Sequence, residues 1–360
     1  MNYMQITELL SQQGTIPFSD YMKIALYHPI HGYYMQKQNH IAVEGDFITG
    51  PEISEAIAYA CAVSFVKLNL PVLCEIGPGS GRLMFDVLNY LHDWQKLPQE
   101  IWLVELCSHR QAQQQELLSE LPKEIYDRID WVQKPKKQAW QGMLLAHEIL
   151  DAQIFDIVEY TESGWQEKKV IVNSGKAAWV YEPIRPEIAE LLPDGSFTPG
   201  FVTEVFSGTP AFINEICQGL NQGGLLFIDY GYCHKEYYHP QRNNGTSKSF
   251  SKHKHSNDLL SKPGQQDITA HVNFSLVANL IKEHGFDING YFTQAQFILH
   301  TNAAQCLSKF SGISYHNACT AFKSVVFEMG DVFKFMLATK NINTWHSWLG
   351  DFGVDRLNEQ

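Results

Sequence analysis

The sequence has no apolar run long enough for a membrane span, no Cys-x-x-Cys pair and no excess of basic charge. A spanning helix needs about 20 predominantly apolar residues, so no membrane span is expected. The seven cysteines are odd in number and scattered singly. That fits reduced thiols better than a disulfide framework or a structural zinc site. Lys and Arg total 27 against 39 Asp and Glu, for a net charge of −12. Nucleic acid and anionic membranes select basic surfaces, so neither is an expected partner. The first residues, Met1-Asn2-Tyr3-Met4-Gln5, carry neither a basic start nor an apolar signal core, and a cytoplasmic location is the expectation. The polar stretch from Tyr232 to Ser261 holds Cys233, His234, His239, His253 and His255. Their spacings match no standard metal set, and no metal is expected. No internal repeat is visible.

What is present centres on Val72-Leu73-Cys74-Glu75-Ile76-Gly77-Pro78-Gly79-Ser80-Gly81-Arg82-Leu83. A short apolar run closes on an acid, three alternating glycines follow, and apolar residues then recur at helical spacing. This is strand, glycine turn and helix, the opening unit of an α/β sheet. Such glycines let the turn fold tightly and let a ligand approach the backbone. The spacing is Gly77-x-Gly79-x-Gly81, whereas a dinucleotide fingerprint needs Gly-x-Gly-x-x-Gly and finds Arg82 at its last position. Pro78 also removes a backbone donor. An acid before this turn suits a ligand with an amino group, such as S-adenosylmethionine, rather than a pyrophosphate. A tight turn without a ligand is the plain alternative.

Other strands also end in acids. Ile101-Trp102-Leu103-Val104-Glu105 places Glu105 where doubly wound sheets bind ribose hydroxyls; capping the next helix is the plain alternative, and the register with Gly77 favours the ribose. Ile129 to Gln133 is a shorter strand whose Gln133 would lie near a base. Gly142 to Asp151 runs from an apolar strand into His147, Glu148 and Asp151, where the carboxyl ends of strands line the ligand crevice. Phe155 to Tyr160 and Lys168 to Val172 alternate as a hairpin around Glu162-Ser163-Gly164. Ala211 to Leu220 reads as a helix ended by Asn221-Gln222-Gly223-Gly224, followed by a strand from Leu225 into Asp229. Ser19 is the expected N-cap of a helix through Met22 and Leu26, and both Ser324 to Glu328 and Val332 to Thr339 suit late strands. The Gly45-Asp46-Phe47-Ile48-Thr49-Gly50-Pro51-Glu52-Ile53-Ser54 stretch is a loop and helix start able to cover a site.

In order along the chain, Ile16-Pro17-Phe18-Ser19-Asp20-Tyr21-Met22, the Gly45 to Ser54 loop, Glu75 to Gly81, Ala146 to Asp151, Ile228-Asp229-Tyr230-Gly231 and Pro263-Gly264-Gln265-Gln266-Asp267-Ile268-Thr269-Ala270-His271-Val272-Asn273-Phe274 resemble the MidA family. These are S-adenosylmethionine-dependent methyltransferases that include a mitochondrial complex I assembly factor. The family usually reads Gly-Pro-Gly-Arg-Gly-Thr-Leu and Thr-Ser-Pro-Glu, whereas this chain has Ser80, Arg82 and Gly50 at the altered positions.

The resemblance implies an α/β, Rossmann-like, mostly parallel seven-stranded sheet with an accessory inserted region. The expected layout is an N-terminal helical segment and covering loop over 1–66, and a cofactor-binding core over 67–231 with a hairpin insertion near 155–200. An accessory insertion over 232–275 and completion of the sheet over 276–360 follow. S-adenosylmethionine would sit against Glu75, Gly77, Pro78, Gly79, Gly81, Glu105, Gln133 and His147. The implied reaction is methyl transfer to a protein arginine, with a respiratory-complex subunit as one acceptor. Glu148, Asp46 and Glu52 are the candidates to pair with a guanidinium, and His147, Asp267 and His271 to orient the acceptor or take its proton. A homodimer is left open. The rival readings are an assembly protein with a vestigial or regulatory pocket and a nicotinamide-dependent oxidoreductase.

Overall fold

The structure is a computed structural model that describes residues 2–36, 49–136, 138–251, 254–342 and 352–358. Its centre is one sheet. The seven longer strands are β1 (Val72–Ile76), β2 (Glu100–Val104), β3 (Ile129–Val132), β4 (Trp140–His147), β5 (Leu220–Tyr232), β6 (Asp287–Thr293) and β7 (Phe333–Lys340), in the spatial order β6-β7-β5-β4-β1-β2-β3. Strands β3, β2, β1, β4 and β5 pair in parallel, while β7 is antiparallel to both β5 and β6. Val272–Asn273 adds a short eighth strand beside the end of β5. The sheet is thus eight-stranded and of mixed orientation, one strand more than the sequence reading. Two residues are too few to show an alternating pattern.

The strands read as unbroken apolar runs because both faces are covered. Along β5, Leu226 and Ile228 face the helices Ala56–Leu68 and Arg82–Asp93. Leu225 and Phe227 face the opposite layer, with Thr209–Cys217 and Phe274–Glu283. The chain order reverses between β1 and β4, so a crevice opens past their carboxyl ends.

Beside this sheet stands an antiparallel one. Asp156–Thr161 and Gly164–Asn173 form its expected hairpin, flanked by Thr15–Ile16, Lys176–Pro183 and Phe201–Val205. The polar insertion forms a three-stranded flap from Lys248–Ser251, Lys254–Ser256 and Asp267–Thr269. Glu204 pins the flap to this sheet by accepting the Thr246 and Ser247 amides, both at 2.8 Å, and the Tyr237 hydroxyl at 2.8 Å. Near the N-terminus, the second helix, Phe18–Tyr27, packs Phe18 on Phe155 and Trp179.

Three local expectations change. Ser324–Glu328 is a π-helical turn, not a strand. Its apolar pair Val325 and Val326 is buried while Phe327 is exposed, a side-chain distribution that a short β-like run cannot reveal. Asn221 to Gly224 lie inside β5, whose pairing starts at Leu220, because the helix stops earlier at Cys217. Pro17, not Ser19, holds the N-cap position of Phe18–Tyr27. The Ser19 amide instead donates to the Asp156 carboxylate at 3.1 Å.

Asp156 is fully buried, also accepts the Ser207 hydroxyl at 2.7 Å, and forms an ion pair with Arg185 at 2.9 Å. Arg185 pairs in turn with buried Glu167 at 2.9 Å. Breaking a buried charged pair from one side leaves the partner uncompensated. Asp156→Ala is therefore expected to lower unfolding free energy by about 3 kcal/mol in urea titration, and to speed proteolysis near Phe18–Tyr27. A loss under about 0.5 kcal/mol would show that this network does not hold the segment.

Candidate functional site

A cavity of about 500 Å³ lies at the strand reversal, with walls from the glycine turn, the ends of β2, β3 and β4, the flap and the N-terminal segment. It begins at the turn. Gly77, Gly79 and Gly81 all have positive φ, at 60°, 57° and 88°, a region that side chains make costly. Gly77, Pro78 and Gly79 line the cavity; Gly81 instead caps the helix Arg82–Asp93 and faces Gln114. Glu75 lies beneath the turn, 2% exposed, and its Oε2 has no hydrogen-bond partner. Burial pushes its pKa up to about 8. A cationic ligand group here would satisfy the orphaned oxygen, which is the fit expected for an ammonium.

Glu105 closes β2. One carboxylate oxygen accepts the amide of Cys107, the N-cap of the following helix, at 2.9 Å, and the other accepts Gln114 at 3.0 Å. Both oxygens retain lone-pair capacity for a diol. Gln114 is fully buried. It also donates to the Gly79 carbonyl at 2.9 Å and accepts the Trp131 indole at 3.0 Å. One side chain therefore locks the turn, β2 and β3 into register. Nothing in the polar helix Ser108–Leu118 marks it in the sequence. Gln133 lines the cavity past β3, as expected.

The other end of the cavity is acidic. Glu148 follows β4 with φ 50°, is partly buried, and has a buried, unpartnered Oε1. Burial, then Asp151 and Asp267, hold its carboxyl well above the usual range. His147 Nε2 is unpartnered and 3.7 Å from Glu148 Oε1, too far for a hydrogen bond, and burial lowers the ring to about 4. Asp151 accepts the Tyr230 hydroxyl at 2.5 Å, keeps Oδ1 unpartnered, and is raised to about 7 by burial. Asp267 stands directly opposite Phe250 in the flap and accepts the Tyr34 hydroxyl at 2.5 Å. Tyr27 donates to the Ala152 carbonyl at 3.1 Å. His147, Glu148 and Asp151, which the sequence sets together at the end of β4, share the cavity with Asp267. Tyr230, Tyr27 and Tyr34 join them. The sequence shows the two N-terminal tyrosines only as an aromatic-rich stretch.

Glu52 lines the mouth and accepts the Ser80 hydroxyl, tying the short helix Gly50–Ile53 to the glycine turn. His271 is not brought into the cavity. It lies behind the wall, its ring 5.2 Å from Tyr230 and 5.1 Å from Tyr232, because the chain leaves the flap strand at Thr269. Asp46 lies outside the described residues. Among the described residues no helix is long and apolar enough to cross a membrane, and no group of three or more His, Cys, Asp or Glu is arranged to hold a metal.

Residues 56–292 match the family model described as "Putative S-adenosyl-L-methionine-dependent methyltransferase". The mitochondrial protein arginine methyltransferase NDUFAF7 of Danio rerio is 28% identical over 79% of this chain and 72% of the relative. The Homo sapiens protein of that name is 29% identical over 77% and 70%. A Burkholderia thailandensis structure, described as a "likely methyl transferase" bound to S-adenosyl-homocysteine, superposes with TM-score 0.89 at 29% identity, covering 95% of this chain and 94% of the other.

Glu75 carries a linked stability prediction. Its folded pKa of about 8 stands above the usual 4.5. Stability from its protonated form is complete below the unfolded value and is lost as pH rises through 8. The ligand-free protein is expected to melt at lower temperature at pH 8.5 than at pH 5, and Glu75→Gln to flatten that slope. An unchanged slope in the variant would assign the pH dependence to other groups.

Proposed function

The chain belongs to this family of S-adenosylmethionine-dependent methyltransferases, and from that premise we propose that its acceptor is an arginine side chain of another protein. The observation that carries the reading is the acidic end of the cavity, where Glu148, Asp151 and Asp267 converge with Tyr230 and Tyr34. A guanidinium is planar, permanently charged and matched to carboxylates in fork geometry. The relatives named as protein arginine methyltransferases support the same class of acceptor.

When bound, S-adenosylmethionine supplies a methyl on a sulfonium, leaving S-adenosyl-homocysteine. The glycine turn, Glu75 and Glu105 are the residues that would hold it. Glu148 and Asp151 orient the guanidinium and offset its charge in a site shielded from water. Methylation of a guanidinium nitrogen leaves one proton to remove. His147, neutral and with an open Nε2, stands beside Glu148 to receive it, and an ionised Glu148 makes that ring more basic. A respiratory-complex subunit is the first protein to test as acceptor.

Two outcomes are expected. Glu148→Gln lowers kcat/KM for a labelled-methyl acceptor by about 100-fold, while calorimetric affinity for S-adenosyl-homocysteine changes less than about threefold. Normal turnover in the variant would remove Glu148 from its role. The second concerns pH. Asp151, raised to about 7, and Glu148 must be ionised to bind a cation. kcat/KM for the acceptor therefore rises with pH through neutrality, carried by a falling KM. A profile flat from pH 6 to 8.5 would count against the acidic cage. Bound cofactor with no turnover on any cell protein would favour the assembly-protein reading.

A further inference from the structure

The cavity wall holds a cation that the reading above leaves unused. Three permanently cationic side chains among the described residues line the cavity: Arg82, Lys134 and Arg110. Arg82 is committed to Asp86, with Nε 2.8 Å from the carboxylate. Lys134 is exposed to solvent at the outer end. Arg110 is different. Its Nη2 is buried without a hydrogen-bond partner, and its guanidinium lies over the Tyr34 ring at 5.5 Å. No carboxylate among the described residues forms an ion pair with it, although Glu105, Asp151 and Asp267 share the same cavity.

A buried guanidinium nitrogen without an acceptor is costly, so the loaded cavity should supply one. The cofactor's amino-acid end carries an ammonium and a carboxylate on one carbon. Glu75 Oε2 answers the ammonium. The carboxylate still needs donors, and the turn gives few, since Pro78 has no N–H. Arg110 projects from the first turn of the helix Ser108–Leu118, one turn before Gln114, which donates to the Gly79 carbonyl, and it lines the same cavity as Glu105 and the glycine turn. Its plane is set by Tyr34, whose own hydroxyl is held by Asp267.

We propose that Arg110 binds the carboxylate of the cofactor's amino-acid end, with Tyr34 holding the guanidinium in position. The N-terminal segment thereby contributes to cofactor binding through a residue that belongs to the core. The inference rests on the cofactor assignment, not on the identity of the acceptor.

The test is calorimetric titration with S-adenosyl-homocysteine and with 5′-methylthioadenosine, which keeps the adenosine and sulfur but has no amino-acid end. Arg110→Gln is expected to weaken S-adenosyl-homocysteine by about 10- to 100-fold, the usual worth of a charged hydrogen bond. Affinity for 5′-methylthioadenosine should stay within about twofold. Arg110→Lys should recover part of the loss, because an ammonium keeps the charge but not the fork. Equal losses for both ligands would overturn the proposal and make Arg110 a packing partner of Tyr34. Unchanged S-adenosyl-homocysteine affinity with a raised acceptor KM would overturn it in favour of an acceptor carboxylate. A wild-type protein that binds neither ligand would remove the cofactor assignment itself. If Arg110→Gln does not fold, Arg110→Lys carries the comparison, with a severalfold loss expected for S-adenosyl-homocysteine alone.

Discussion

The site depends on one buried carboxylate, that of Asp229 at the end of β5. Its Oδ2 accepts three successive amides, from Ile149 at 3.1 Å, Leu150 at 2.9 Å and Asp151 at 3.2 Å, and Oδ1 accepts its own neighbour Tyr230 at 2.9 Å. Successive N–H groups after a left-handed residue form a concavity for an anion, and Glu148 with φ 50° is that residue. Glu148 is thus held in a conformation that costs about 1–2 kcal/mol on its own. Without Asp229 the chain leaving β4 would have no reason to turn there. Glu148 and Asp151 would then not share a cavity. Burial and the neighbouring Asp151 and Glu148 push the Asp229 pKa up, against the pull of its four donors. The turn is stable because those donors outnumber any alternative partner for the carboxylate.

The same logic extends outward. The far wall is built from elements outside the central sheet, and each is tied down by a buried acid. Asp156 holds the helix Phe18–Tyr27, and with it the route to Tyr27 and Tyr34. Glu204 holds the flap, and with it Phe250 and Asp267. Buried acids are expensive unless hydrogen-bonded, and these two are fully engaged. Among the described residues, the acids left partly unsatisfied, Glu75, Glu148 and Asp151, all line the cavity. Satisfied carboxylates build the frame here, and unsatisfied ones mark where ligand groups belong.

How much of this was legible in the sequence follows from the range of each signal. The glycine turn, the acid-ended strands and the His147–Glu148 pair are local patterns, and the structure sets them around one cavity. Asp229 was visible as a strand-ending acid, but its capture of a turn 80 residues earlier in the chain was not. Gln114 and Arg110 lie on a helix that is polar apart from Ala112, Leu117 and Leu118, too few apolar positions to show which of its polar side chains face inward. His271 misled because a residue's place in a motif does not say which way a strand end turns. The two-residue strand Val272–Asn273 and the π turn at Ser324–Glu328 exist only through tertiary pairing and packing.

Charge balance ties these observations into a sequence of events at the site. With the cavity empty, burial pushes the pKa values of Glu75, Glu148 and Asp151 up and keeps His147 neutral, so ionising these acids is costly until a cation arrives. The arriving ligands are cationic: an ammonium and a sulfonium on the cofactor, a guanidinium on the acceptor. Each cation lowers the pKa of the acid it meets and drives off a proton. The cost of burying these acids in the empty protein is thereby returned as binding free energy, and only to ligands of the right charge. A neutral amine or alcohol of the same size would leave the acids protonated and gain none of it. That selectivity needs no contact beyond those the fold already enforces. It is also why the acids had to be buried on a rigid sheet end rather than left on a solvated loop, where water would satisfy them before any ligand arrived.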